Sequence, residues 1–520
     1  MGGGWSFYGR RDELGCLLEH MRRRRWFFGT VRGRRRIGKT ALIQQALATL
    51  GEDEPDSAPW LLVQLPDSNP LDSATVFRNA VREARLEARL EGLDAITDLP
   101  GVADAVGLLC RAGVTVVLDE FQVCRRGPLS GFPSLLQAQV DRLQDRYPVG
   151  GLLLLGSVQT EMEALLDDRQ APLFGRKTFD IALQPWELST VFEVAENHGA
   201  GGPARCLTLW TLFGGVPKYW RHFAEAGDLR AIPDWSDWAQ QVCERLFLRA
   251  DSPLREEGES LLGRELRRNY VAILRALADR GPCAHADLQN ALPPGLSLGP
   301  YLTTLTADLR LIEKQYPVFA DTRQRRVRYA VSDPFLCAWL SVIGPACQAA
   351  RIQPAARVAE RLVARLSTLE GHAFERMVRV AAEEVSRAGG FTITDRVRGY
   401  WNRPRTGAAS VEIDFVAWNE DDRVVRFGSC KRSSTQHDSR SLRAFDDHVA
   451  RFVASAGRRF ATWRRELVLF SPEFASERRA CLEADGWTCL DLLDFHRLLR
   501  DGKRGAKGVL PASPKVEGRG

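Results

Sequence analysis

The run Gly33-Arg34-Arg35-Arg36-Ile37-Gly38-Lys39-Thr40 places two glycines, a lysine and a hydroxyl at the spacing G-x-x-x-x-G-K-[ST]. That spacing points to the cradling of a phosphate chain. The glycines let bare backbone N–H groups approach the anion, the lysine ammonium reaches the β- and γ-phosphates, and the hydroxyl serves Mg²⁺. Ala41 lies in the first turn of a predicted helix whose N-terminal dipole faces the same anion. A second set, Asp119-Glu120, closes the apolar run Val114-Thr115-Val116-Val117-Leu118. Asp119 is expected in the Mg²⁺ shell beside Thr40, and Glu120 is expected to polarise the attacking water. The plain alternative is that these acids cap a helix after the strand. A third set, Gly156-Ser157-Val158-Gln159, follows another apolar run. Ser157 and Gln159 compete for contact with the γ-phosphate or the water, and Ser157 could instead be a helix N-cap. Arg176, in Phe174-Gly175-Arg176, suits charge stabilisation at a transferring phosphoryl group, or is an ordinary surface arginine.

These groups need strands that end together. Apolar runs at 26–31, 60–65, 114–118, 152–155 and 179–183 alternate with helical stretches, which predicts a parallel sheet with helices on both faces. Residues 1–185 are therefore expected to form a P-loop core, followed by a helical, Trp-rich region at 186–250. Between 255 and 340, three helical pieces precede a hairpin expected from Val318-Phe319 and 327–331. That hairpin carries Arg323, Arg325, Arg326 and Arg328, and the arrangement suggests a winged helix-turn-helix. A helical connector at about 345–368 leads to a mixed α/β region reaching residue 500. It contains a helix at 371–387 and strands at 411–418, 423–430 and 466–471. The tail at 501–520, rich in Gly, Lys and Pro, is expected to be disordered.

Composition sets the class. The chain has 520 residues, 44% hydrophobic and 27% charged, with a net charge of +6; this is a multidomain globular protein whose charge permits nucleic acid without demanding it. Only eight of its 72 Lys and Arg residues are lysines, a weak pointer to Lys39 and Lys431 as positions that require lysine. Eleven scattered cysteines without C-x-x-C pairs read as free thiols in a reducing cytoplasm. No run approaches bilayer length, so no membrane partner is expected. The start Met1-Gly2-Gly3-Gly4-Trp5-Ser6 matches a myristoylation pattern, read here as the coincidence of a Gly-rich terminus.

Further motifs carry a family resemblance. Phe7-Tyr8-Gly9-Arg10-Arg11-Asp12-Glu13-Leu14 resembles the F-x-G-R-x-x-E-L opening of AAA+-related and STAND ATPases, and Phe213-Gly214-Gly215-Val216-Pro217-Lys218-Tyr219 resembles the G-x-P motif of the STAND lid. With "GRRRIGKT", "VVLDEFQ", "APLFGR" and "YAVSDPFLCAWL", most of the chain looks like the archaeal-type ATPase family. The resemblance implies that Tyr8, Gly9 and Arg10 hold the nucleoside, that Pro217 couples the lid to it, and that ATP and Mg²⁺ are the cofactors. It also implies a C-terminal domain similar to PD-(D/E)XK nucleases.

In that domain Glu412 and Asp414 share one face of a strand, Glu375 lies on an upstream helix and Lys431 follows the next strand. Two carboxylates and a lysine are what Mg²⁺-dependent phosphodiester cleavage requires. The acid expected two residues before Lys431 is Ser429, a poorer ligand, which favours an inactive fold; Glu412 could supply the missing oxygen. Three functions compete. One is an ATP-hydrolysing switch acting through a winged helix on duplex DNA, a protein partner or a second copy. Another is an ATP-regulated nuclease. The third is a DNA-binding regulator with a non-hydrolysing P-loop.

Overall fold

The computed structural model describes residues 5–503 apart from 24, 54–58, 145–149, 228, 262–267, 291, 294, 296, 321–325 and 403–409. It resolves into two compact units, residues 5–186 with 216–218, and residues 187–215 with 219–503.

The first unit is a five-stranded sheet of β1 (Phe27–Arg32), β2 (Trp60–Gln64), β3 (Thr115–Asp119), β4 (Gly151–Gly156) and β5 (Phe179–Ala182) in the order β2-β3-β4-β1-β5. All four pairings are parallel, as the alternation of runs predicts. Successive side chains leave a strand on opposite faces. Phe28, Val116, Leu118, Leu152 and Leu154 therefore pack on one side, with Phe77, Leu109 and Leu136. Phe27, Val31, Val117, Leu153 and Leu155 pack on the other, with Leu17, Leu42 and Ile43. The second set joins α1 (Arg11–Arg22) and α2 (Lys39–Asp53) to the sheet. Burial on both faces explains why the central strands read as unbroken apolar runs.

The strand order has a functional consequence. β4 lies between β3 and β1, although β1 precedes both in the chain. The loop after β1, the acids after β3 and the serine after β4 are thus brought to one edge by three adjacent strands. Ligands of open α/β sheets bind at such a crevice.

In the second unit, β6 (Cys283–Ala284), β7 (Ile312–Gln315) and β8 (Arg328–Val331) form a small antiparallel sheet, ordered β6-β8-β7. The expected hairpin strand at Val318-Phe319 is not formed; β7 pairs with β8 instead. Val318 N donates to Gly399 O (2.9 Å). Phe319 takes a left-handed φ of 59° and lays its ring within 5.5 Å of the Trp418 and Phe460 rings. Aromatic packing thus outcompetes strand pairing at a position where a bulky residue is strained. Arg323 and Arg325 lie outside the described residues, as does most of the expected disordered tail.

A 33-residue helix, Ala355–Arg387, replaces the expected connector and separate helix. Gly371 lies inside it, where a Cβ would meet nothing within 4 Å. A mid-helix glycine costs only about 1 kcal/mol. The buried stripe Val358, Leu362, Leu366, Phe374, Met377, Ala381 and Val385 far outweighs that. Buried Glu370 ties this helix to its neighbours, accepting from Thr208 Oγ1 (2.7 Å) and Arg432 Nε (2.9 Å). The C-terminal sheet runs β13 (Thr488–Leu490), β12 (Arg464–Phe470), β11 (Val424–Cys430), β10 (Glu412–Asn419), β9 (Arg398–Trp401). β9 and β13 are edge strands too short to show periodicity in sequence. Among the described residues, no helix is long and apolar enough to cross a membrane.

Candidate functional site

The loop between β1 and α2 takes a shape that ordinary residues resist. Gly33 has φ 157°, Arg36 φ 67° and Gly38 φ 95°. Gly33 could not carry a side chain, because a Cβ there would stand 2.8 Å from Leu183 O. Gly33 N donates to Gly156 O (3.3 Å), fixing the loop to the end of β4. Helix α2 starts at Lys39, so its first-turn N–H groups lack intrahelical acceptors, an arrangement suited to an anion. Ala41 lies in that turn.

Lys39 is buried, at 6% exposure, and its Nζ donates to Gly33 O (3.0 Å), Arg34 O (3.3 Å) and Ser157 Oγ (2.9 Å). Burial lowers its pKa; Asp119 and Glu120 oppose the shift and Arg35 adds to it. Ser157 Oγ donates onward to Glu120 Oε1 (3.0 Å). Thr40 Oγ1 donates to Asp119 Oδ2 (2.9 Å), bringing together the two oxygens expected around Mg²⁺. Asp119 Oδ1 accepts from Glu120 N (2.8 Å). Glu120 has a left-handed φ of 58°, a strained conformation of the kind concentrated at functional sites.

The plain alternatives for these residues do not describe the geometry. No side-chain cap is made by Glu120 at the turn it opens, Phe121–Arg125. The N-cap of α6 (Gln159–Leu166; α3 is Pro70–Glu83, α4 Leu99–Arg111 and α5 Phe132–Leu143) is Val158, not Ser157. Between the two competing residues, Ser157 joins Lys39 and Glu120, whereas Gln159 Nε2 donates to Glu163 within its own helix (3.2 Å).

Gln122 escaped the sequence reading. Its Oε1 accepts from Ser157 N (3.0 Å) and its Nε2 donates to Glu120 Oε2. The available signal was the last residue of "VVLDEFQ", which the sequence reading quoted without giving it a role.

Arg176 is engaged elsewhere. It grips Asp141 in α5 through Nε (2.6 Å) and a second nitrogen (3.0 Å), and donates to Pro172 O and Phe174 O. No contact among the described residues joins it to Lys39, Ser157 or Glu120. Arg10 opens α1 in a left-handed conformation that follows Gly9, also left-handed. It bonds Gln184 O (2.6 Å), Ile37 O (3.3 Å) and Glu13 (3.1 Å), so the opening motif is clamped to the glycine loop. Tyr8 is buried edge-on against Trp5 and Trp186. Pro217 Cγ lies 3.8 Å from where a Gly38 Cβ would stand, so residues 216–218 abut the same loop.

The second constellation differs. Asp414 Oδ2 accepts from Cys430 N (2.9 Å), and Arg379 donates to Asp414 O (3.2 Å). Burial, then the charge of Asp414, pushes Glu375 up to about 7, with Arg379 and Lys431 opposing. Burial also raises Asp414. Glu412 is half-exposed and paired to Arg328 (2.7 Å), whose guanidinium lies 4.5 Å from the centre of the Trp401 ring. The oxygen that could have replaced the missing acid is committed to an arginine of the small sheet. Among the described residues, no group of three or more His, Cys, Asp or Glu is placed to hold a metal ion.

The parallel sheet, the glycine loop and the acid pair at the end of β3 give the first unit the fold of a P-loop ATPase. Residues 339–442 match the model of a family described as "Archaea bacterial proteins of unknown function". An uncharacterized protein of Methanocaldococcus jannaschii is 23% identical over 432 residues, covering 82% of this chain and 87% of that one. A Walker-type ATPase of Pyrococcus abyssi superposes with a TM-score of 0.44 at 17% identity, over 64% of this chain and 96% of its own. The ORC2 protein of Aeropyrum pernix, in its ADPNP-ADP complexes, gives 0.44 at 16%, over 70% and 94%.

Proposed function

We propose that the chain is an ATP-hydrolysing molecular switch. The observation that carries this reading is the chain of buried Lys39, buried Ser157 and partly buried Glu120, hydrogen-bonded across the ends of three adjacent parallel strands. The loop from Gly33 to Ala41 binds the phosphates, with Lys39 turning from its loop carbonyls toward the β- and γ-oxygens. Thr40 and Asp119 hold Mg²⁺, which neutralises phosphate charge when bound. Two hard oxygen donors suffice, because Mg²⁺ keeps waters and phosphate oxygens as its other ligands. Glu120 orients and deprotonates the attacking water, and Ser157, donating to Glu120 and accepting from Lys39, senses the γ-phosphate. Tyr8, Gly9 and Arg10 support the nucleoside, and Pro217 reports its presence to the lid proposed at 186–250.

Nucleotide state then acts on a winged-helix region at 255–340 and a nuclease-like region at 345–500, with duplex DNA as the candidate partner. Arg326 is the wing arginine proposed to meet phosphate, since Arg328 is paired with Glu412. ATP turnover measured with and without duplex DNA tests the reading. DNA-stimulated turnover is expected; turnover indifferent to DNA removes DNA as partner, and no turnover at all removes the switch.

A second reading is Mg²⁺-dependent cleavage at Glu375, Asp414 and Lys431; it draws on the Asp414 charge, which adds to desolvation in raising the Glu375 pKa. Ser429 and the Arg328–Glu412 pair oppose it. Cleavage by the native chain that is lost in Asp414→Ala would establish it.

A further inference from the structure

We propose that Gln122 is the positioning residue for Glu120, holding the base and the β4 end in one register; the proposal rests on the hydrolytic reading of this site. Gln122 is buried, at 6% exposure, and uses both ends of its amide. A backbone N–H can only donate, so the 3.0 Å contact with Ser157 N fixes which end of the amide is oxygen. The NH₂ end is thereby turned onto Glu120 Oε2. The other carboxylate oxygen, Oε1, receives Ser157 Oγ at 3.0 Å. Glu120 is therefore held at both oxygens, and both holds run through Ser157: one through its hydroxyl, the other through its N–H by way of Gln122.

The neighbouring backbone is built around this amide. A Cβ on Gly156 would stand 2.3 Å from Met162 Sδ and 3.0 Å from Gln122 Oε1, so glycine leaves both side chains where they are. The left-handed Glu120 turns the chain so that Gln122, two residues on, folds back beneath it. A carboxylate on a strained turn needs such a brace. A misplacement of about 1 Å in a reacting group can cost roughly 100-fold in rate. Because Lys39 also donates to Ser157 Oγ, recruitment of that lysine by phosphate alters one hold on Glu120 while Gln122 keeps the other.

The test uses the full-length chain, Mg-ATP and two substitutions. Gln122→Met keeps length and removes both polar ends. Gln122→Glu keeps the acceptor for Ser157 N–H but sets a like charge against Glu120. Both are expected to lower kcat, by roughly 100-fold for Gln122→Met, with the ATP dissociation constant unchanged. Gln122→Glu is expected to lose at least as much. In a Glu120→Gln background neither should lower turnover further, since residues acting through one group are not additive. Native turnover in Gln122→Met, full activity in Gln122→Glu, or additive losses with Glu120→Gln would each overturn the proposal and leave the hydrolytic reading standing. Absence of turnover in the native chain would overturn both.

Discussion

Glu120 and Glu375 each sit beside a sheet with a lysine and an aspartate nearby, yet their surroundings are opposite. At Glu120 both carboxylate oxygens receive a hydrogen bond, and Lys39, Ser157 and Gln122 form a continuous network. At Glu375 no hydrogen bond arrives from the described residues, and burial with Asp414 drives the acid toward its neutral form. The first site has its charges and dipoles arranged in advance, which is how electrostatic catalysis is organised. The second is a partly buried acid pair in which Asp414 receives Cys430 N and Glu375 receives no donor among the described residues, and the neighbouring Glu412 is tied to Arg328. A shared residue inventory is thus not a shared function; partner geometry separates the two.

The sharpest break of the comparison is Glu120→Gln. Turnover should fall roughly 10²–10⁴-fold with ATP still bound, followed by phosphate release; ordinary turnover would require another base. Lys39→Ala should come next. Leaving a buried charge without its partner costs about 3–5 kcal/mol, which corresponds to roughly 150- to 4,000-fold in ATP affinity, read by nucleotide titration. Retained affinity would place the nucleotide elsewhere.

The acid pair predicts a smaller effect of a different kind. Glu375 has its folded pKa raised from 4.5 to about 7. The folded state therefore keeps a proton that the unfolded chain has lost. Its stabilising contribution is full below pH 4.5 and is lost as pH rises through about 7. Glu375→Gln should flatten that decline and raise the free energy of unfolding at pH 8 relative to the native chain by on the order of 1–3 kcal/mol, read by denaturant titration at several pH values. An unchanged pH profile would show that the two acids do not interact as described. The smallest effect belongs to Arg328→Ala. Its partner is half-exposed, so the loss should stay below about 1 kcal/mol by denaturant titration. A larger loss would make the Arg328–Glu412 contact a main fastening of the small sheet.

Much of the first unit was legible in sequence, because five apolar runs at helical separations permit few folds. The glycine loop was legible for a related reason: left-handed backbone there demands glycine at fixed positions. The separate connector and helix proved to be one element, because the buried stripe of the 33-residue helix continues through Gly371. Phe319 misled because its destination, an aromatic cluster on a distant strand, leaves no mark on its neighbours.

The sequence alone determined the parallel core, the glycine loop and the acids after β3, since periodicity and backbone sterics act over a few residues. Only the tertiary structure decided that Ser157 rather than Gln159 meets Lys39, that Arg176 is spent on Asp141, that Gln122 braces Glu120 and that Glu412 belongs to Arg328. Each of those outcomes is a choice among partners far apart in the chain. Such choices are settled by distance and burial, quantities that exist only once the strands have been laid side by side.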